Sequence, residues 1–200
     1  MRALLLALPL CLAACAGGPT GPEAAKRFDR FEAVETNDFR SYEQVQVIAP
    51  EAGEELQARA DRRLPTRSLE REIATRDIEY KLADLREEIE EALAREVELV
   101  EEGGPGILTV RTILTQLEAN RPTQAELAAQ PGLDFNSISE GRASVRIELS
   151  EDGRLLAVIE DADNVTGLND PRILPGAGIW TTADQHFDAV ARKLTALLKG

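Results

Sequence analysis

The sequence predicts an α+β fold: a four-stranded mixed sheet in the order β-α-β-β-β-α, with two helices packed on one face and a flexible tether ahead of it. Three stretches carry this reading. Arg142–Ile159 alternate as a hairpin about Asp152–Gly153, Asp77–Glu96 repeat with a helical period, and the stretch after Thr182 does so again. Runs of period two beside runs of period 3.6 imply helices laid on a sheet.

The elements come in order along the chain. Residues 16–40 read as the tether: "AGGPTGPEAAKRF" is rich in Gly, Pro and Ala and has no apolar period. In "YEQVQVIAP", Val45 and Val47 alternate with Gln44 and Gln46, and Pro50 ends the run, which predicts a first strand. Residues 51–67 are charged, with Leu56 and Leu64 as sparse apolar points, enough for a short helix. Ser68 can cap the next helical stretch. Ile78, Leu82, Leu85, Ile89 and Leu93 then form the stripe of the clearest helix. Asp77/Lys81 and Glu91/Arg95 are expected to pair along its sides.

Gly103–Gly106 make a turn into a long strand, Ile107–Leu117. Leu108, Val110 and Leu114 face one way; Ile107 and Ile113 face the other among Thr109, Arg111 and Thr115. A strand apolar on one side and half-polar on the other suits a sheet covered on one face. Residues 119–140 form a polar connection with one helical turn at Ala125–Ala129. In the hairpin, Ala143, Val145, Ile147 and Leu149 point inward. Residues 161–179 form a second long loop, and Thr182 with Gln185 reads as a capping box. Phe187, Val190, Leu194 and Leu197 are the buried stripe of the last helix. A crossover through the first helix places the Val45 strand parallel to the Ile107 strand.

The 200 residues include 4% aromatics, so the core rests on Leu, Ile, Val and Ala. A formal net charge of −13 argues against nucleic acid, whose phosphates it would repel, and against electrostatic docking on anionic lipid.

Residues 1–14 read as a signal peptide: Arg2, then the apolar "ALLLALPL", then Ala13 and Ala14. The apolar run is too short to span a bilayer as a helix. "LAAC" resembles the lipobox of bacterial lipoproteins, with Leu12, Ala13, Ala14 and Cys15 in its four positions. That resemblance implies cleavage between Ala14 and Cys15, and acyl chains on Cys15 that hold the protein to a membrane. Ala16, where retention at the inner membrane usually has Asp, implies the outer membrane, facing the periplasm. The chain thus divides into signal peptide 1–14, lipidated cysteine and tether 15–40, and periplasmic domain 41–200.

The order of lipobox, "VQVIAP", acidic helix, "GPGILTVRTILTQLEANRP", hairpin and Trp180-led helix resembles a family of small proteobacterial lipoproteins catalogued as a domain of unknown function. The resemblance covers roughly Glu43 to Leu198, and its most specific part is the Gly104–Gly106 turn running into the strand. It implies an anchored α/β domain and supplies no catalytic residues.

The chemistry-bearing residues are sparse. His186 is the single histidine, expected exposed in the first turn of the last helix. It cannot by itself make a multi-histidine zinc site. Ala16–Gly200 lack cysteine, and there is no G-x-S-x-G. "GGPG" lacks the Lys-Ser/Thr of a phosphate loop. Asp161, Asp163 and Asn164 are followed by Val165 and Arg172 where a calcium loop needs oxygen ligands. Glu87, Glu88, Glu90 and Glu91 read as a solvated helix face. The sequence therefore predicts no catalytic residue, no metal and no cofactor. Trp180 reads as closing the core at the helix entry or as a partner anchor. With Leu133, Phe135, Ile173 and Leu174 it forms the candidate contact surface on the two long loops. The expected function is a non-enzymatic protein-interaction or envelope-assembly module with an unidentified envelope partner. The alternatives are binding of a lipid or small apolar ligand, and, third, a hydrolase with Asp161 and Asp163 facing Glu140.

Overall fold

The computed structural model describes residues 21–62, 73–134, 137, 139–164 and 178–199. Ala14, Cys15, Ser68, Phe135, Ile173 and Leu174 lie outside the described residues.

The hairpin is β6 (Arg142–Glu151) and β7 (Arg154–Asn164). Asp152 and Gly153 both take positive φ, 49° and 77°, which lets the two-residue turn match the strand twist. β7 runs past the expected end at Ile159, into the stretch predicted as loop, because its alternation continues: Ala157, Ile159 and Asp161 are all buried. A register shift between Leu149 and Ser150 adds one residue to β7, and Leu156 turns inward as well.

β5 (Ile107–Glu118) pairs antiparallel with β6. It buries Leu108, Val110, Thr112, Leu114 and Leu117. The change of spacing after Leu114 is a bulge at Thr115, whose Oγ1 donates to the Ser144 carbonyl. β2 (Gln44–Val47) lies parallel to the start of β5, as the crossover required. Pro50 interrupts that edge, and β3 (Glu51–Ala52) resumes it beside Ile113 and Leu114. β4 (Glu98–Leu99) adds to the far side of β2.

Among the described residues the sheet thus has seven strands rather than the four expected, in the order β1-β7-β6-β5-β2-β4 with β3 beside β5. The additional strands are two to four residues long, too short to show a period. β1 (Arg30–Ala33) lies in the predicted tether. It pairs with β7 from Arg30↔Glu160 to Ala33↔Ala157. The α-helical turn α1 (Gly21–Ala25) precedes it, and a 3₁₀ turn at Phe39–Ser41 comes after it. Ala24, Phe28, Phe39 and Tyr42 are buried, and Phe31 meets Phe39 edge to face with centroids 6.1 Å apart. Isolated aromatics in a polar stretch anchor this segment, so residues 21–40 belong to the folded body and are not a tether.

α2 (Glu54–Ala60) and α4 (Gln124–Ala129) match the two short helical expectations, α4 capped by Thr123 with Glu126. α3 (Thr75–Ala94) and α5 (Thr181–Lys199) pack on each other and on the buried face of the sheet. Ile78, Leu85, Ile89 and Leu93 of α3 and Phe187, Val190, Leu194 and Leu197 of α5 are buried as predicted, with Leu82 partly so. Each fully buried Leu, Ile or Phe contributes about 1.5–3 kcal/mol, so these stripes hold the layers together. Among the described residues, no helix is long and apolar enough to cross a membrane.

Candidate functional site

α3 and α5 run side by side in the same direction, and their N-terminal ends meet at Lys81. That residue sits at i+3 from Ile78 and i−4 from Leu85, on the buried face. Its side chain is 3% exposed. Nζ donates to Asp84 at 2.6 Å and to Asp184 of α5 at 2.5 Å, a pairing that replaces the predicted Asp77/Lys81. Burial opposes the charge, but the two carboxylates outweigh it and hold the ammonium above its usual pKa. Lys81 is thus a fixed cation. Around it stand Tyr80, with its ring centroid 4.9 Å from Nζ, and Trp180 at 6.0 Å. Tyr80 is 60% exposed, Ile179 beside Trp180 is 36% exposed, and Trp180 is half-buried against the core. This end of the helix layer is an aromatic and apolar patch mounted on a rigid charged support.

Asn120 fixes the turn that presents Trp180. It lies just after β5 and is fully enclosed. Its Nδ2 donates to the Thr182 hydroxyl at 2.8 Å and to the Ser139 carbonyl at 3.2 Å, while its Oδ1 accepts from the Thr182 N–H at 3.0 Å. Its own N–H reaches the Ile179 carbonyl at 2.7 Å. A Cβ at Gly141 would stand 2.5 Å from this amide, so only glycine lets the strand pass. Thr182 lies inside the first turn of α5 and bonds to Asn120, so the amide of Asn120, two residues past the end of β5, caps this turn in place of the predicted Thr182/Gln185 capping box. The Trp180 carbonyl accepts the first helical bond, from Asp184.

A second ionic group lies along α5. Asp161 of β7 is buried and takes both its oxygens to Lys193 Nζ, at 2.8 and 2.6 Å. It also accepts from the Asp29 N–H, and Asp29 in turn accepts from the Ala162 N–H. His186 packs alongside, Nδ1 3.9 Å from Asp161 Oδ2. Its Nε2 is buried without a partner among the described residues. The sequence predicts an exposed His186; the structure buries it because it lies four residues from both Thr182 and Val190, on the core face. Burial lowers its pKa most strongly; Asp161 and Asp163 pull it upward, and Lys193 adds to the lowering. The folded state therefore binds this proton less readily than the unfolded chain. Stability from this group is complete above about pH 6.5 and is lost as pH falls below it, with a slope of at most about 1.4 kcal/mol per pH unit. Denaturant midpoints of the wild type should fall between pH 7 and pH 5.5 by an amount that His186→Gln does not show; equal falls in both would refute the assignment.

Of the predicted contact residues, the structure describes two. Trp180 stands at the helix end, and Leu133 is half-buried in the turn after α4, its N–H on the Gln130 carbonyl. Of the trio named for hydrolysis, Asp161 is ion-paired with Lys193, and Glu140 pairs with Arg142 at 3.9 Å. The space between sheet and helices, where an apolar ligand would sit, is filled by side chains such as Leu85, Ile89, Ile147, Leu149 and Phe187, none more than 1% exposed. Tyr80, Lys81 and Asn120 are not among the residues that the sequence singles out for contact. Lys81 on the apolar register of its helix is the signal that, beside Trp180, points to the site.

No family model matches the chain. No curated protein matches it. Solved structures do, at a distance. A point variant of the PelC dodecamer from Paraburkholderia phytofirmans is 10% identical, with 84% of this chain and 96% of that one covered and a TM-score of 0.44. A Xanthomonas campestris protein of the family DUF330 is 12% identical over 76% and 81%, with a TM-score of 0.43. A minor lipoprotein from Acinetobacter baumannii is 13% identical over 78% and 94%, with a TM-score of 0.36. These distant likenesses assign no activity to this chain.

Proposed function

We propose that this chain is a lipid-anchored protein of the outer membrane, facing the periplasm, that works without catalysis by docking an envelope protein on the patch of Tyr80, Ile179 and Trp180. The observation that carries the docking half is the support of that patch. Lys81 is bound by carboxylates from two helices, and Asn120 ties the Trp180 turn to the sheet. Such a surface enters a complex with little left to order, which favours binding. Large aromatics at the centre of a contact carry most of its energy. The anchoring half is supported by Leu12–Cys15.

Palmitate labelling of cells is expected to mark the protein and to vanish in Cys15→Ala, with the variant released from the membrane fraction. Label retained on the variant would end the anchoring reading. For the patch, a photo-crosslinker at Tyr80 should capture a defined envelope protein that Trp180→Ala loses and that a crosslinker at Glu160 never captures. Equal capture from both positions would refute docking at this end.

A further inference from the structure

The chain enters the folded body near the other end of the helix layer. α1 packs on α5, and Arg27, just after it, lines a surface groove of about 510 Å³ between the C-terminal ends of α3 and α5. Arg27, Arg95, Arg192 and Lys199 ring that groove with one carboxylate, Glu96. Arg95 pairs with Glu91 and Arg192 with Asp188, one turn back, so the charge left over is that of Arg27 and Lys199 against Glu96. This is a local positive excess on a chain of net charge −13. Gly21 lies only six positions beyond Cys15. Fully extended at roughly 3.3–3.6 Å each, those steps span about 20 Å. An anchor at Cys15 therefore keeps this end of the domain close to the bilayer surface.

We propose that the groove end of the α3–α5 layer rests on the headgroups of anionic phospholipids beside the anchor, leaving the Trp180 end turned away from the membrane. This rests on acylation of Cys15. The distribution of charge suits it: the screening length is about 8 Å at physiological salt, so acids elsewhere on the body do not cancel cations at the contact. The anchor already holds the domain at the surface, and the cations have only to bias its orientation. α5, with 19 residues, is about 28 Å long at 1.5 Å per residue, so the aromatic patch then stands roughly that far out.

The test uses the full lipidated chain in phosphatidylethanolamine vesicles with and without phosphatidylglycerol. A fluorophore is placed at Ala196→Cys in the groove or at Tyr80→Cys at the far end, and the quencher is a headgroup nitroxide. With phosphatidylglycerol present, the groove label should be quenched several-fold more than the far label. Arg27→Gln and Lys199→Gln should each reduce the face-down population about five-fold. Neither should change flotation of the protein with the vesicles. A chain that does not float defeats the anchor and this orientation together. A chain that floats with both labels equally quenched, or with quenching indifferent to phosphatidylglycerol or to the two substitutions, overturns the orientation alone.

Discussion

Lys193→Met is expected to destabilise the fold by about 3–5 kcal/mol, because it strands a buried carboxylate without its counter-ion. Asp161 has 1% of its side chain exposed, and Lys193 is its cationic partner. The reverse change, Asp161→Asn, should cost less, since Lys193 is 28% exposed and can turn its ammonium to water. Asp161→Leu combined with Lys193→Met should recover much of the loss, as buried pairs replaced by apolar residues commonly do. Denaturant unfolding of the three variants is the measurement. An ordering in which the double variant is the least stable would show that the pair stabilises by more than mutual neutralisation.

Asn120→Ala is expected to cost about 2–4 kcal/mol, the sum for leaving buried Thr182 and Ser139 groups without partners. Its second consequence is local. The turn at Ile179–Trp180 loses its side-chain tie to the sheet, so the single tryptophan should shift its emission to the red while the far-ultraviolet circular dichroism stays the same. Gly141→Ala probes the same junction by crowding rather than deletion, since its Cβ would meet the amide at 2.5 Å. An Asn120→Ala protein of wild-type stability and unchanged emission would remove this junction from the account of how Trp180 is held.

The long elements are legible in the sequence because their periods are long enough to see. The Arg142–Ile159 hairpin, the α3 and α5 stripes and the parallel placement of β2 on β5 all come from alternation or helical spacing. Of the candidate site only Trp180 is legible; the charged groups behind it and along α5 are not, for one physical reason seen three times. Lys81, Asp161 and His186 each occupy a core register of their helix or strand, while their residue types suggest solvent. Lysine between Ile78 and Leu85, aspartate after Ala157 and Ile159, and histidine between Thr182 and Val190 are all inward positions. A charge on an inward register needs a partner, and the partner comes from another element: Asp184 for Lys81 and Lys193 for Asp161, whereas burial disfavours the charged form of His186. The N-terminal segment is hidden differently. Phe28, Phe31 and Phe39 recur at no helical or strand period, and only the sheet edge they meet gives them a structure.

That edge has a bearing on how the protein is made. β1 is among the first parts of the body to emerge from a ribosome, yet Arg30 meets Glu160, 130 positions later. A segment that must wait for most of its chain forms contacts of high sequence separation, which slow folding. α1 and β1 thus stay without their partners until β7 and α5 arrive. The start of the described body would then be the last part to settle, and loss of the final helix would leave it unable to close.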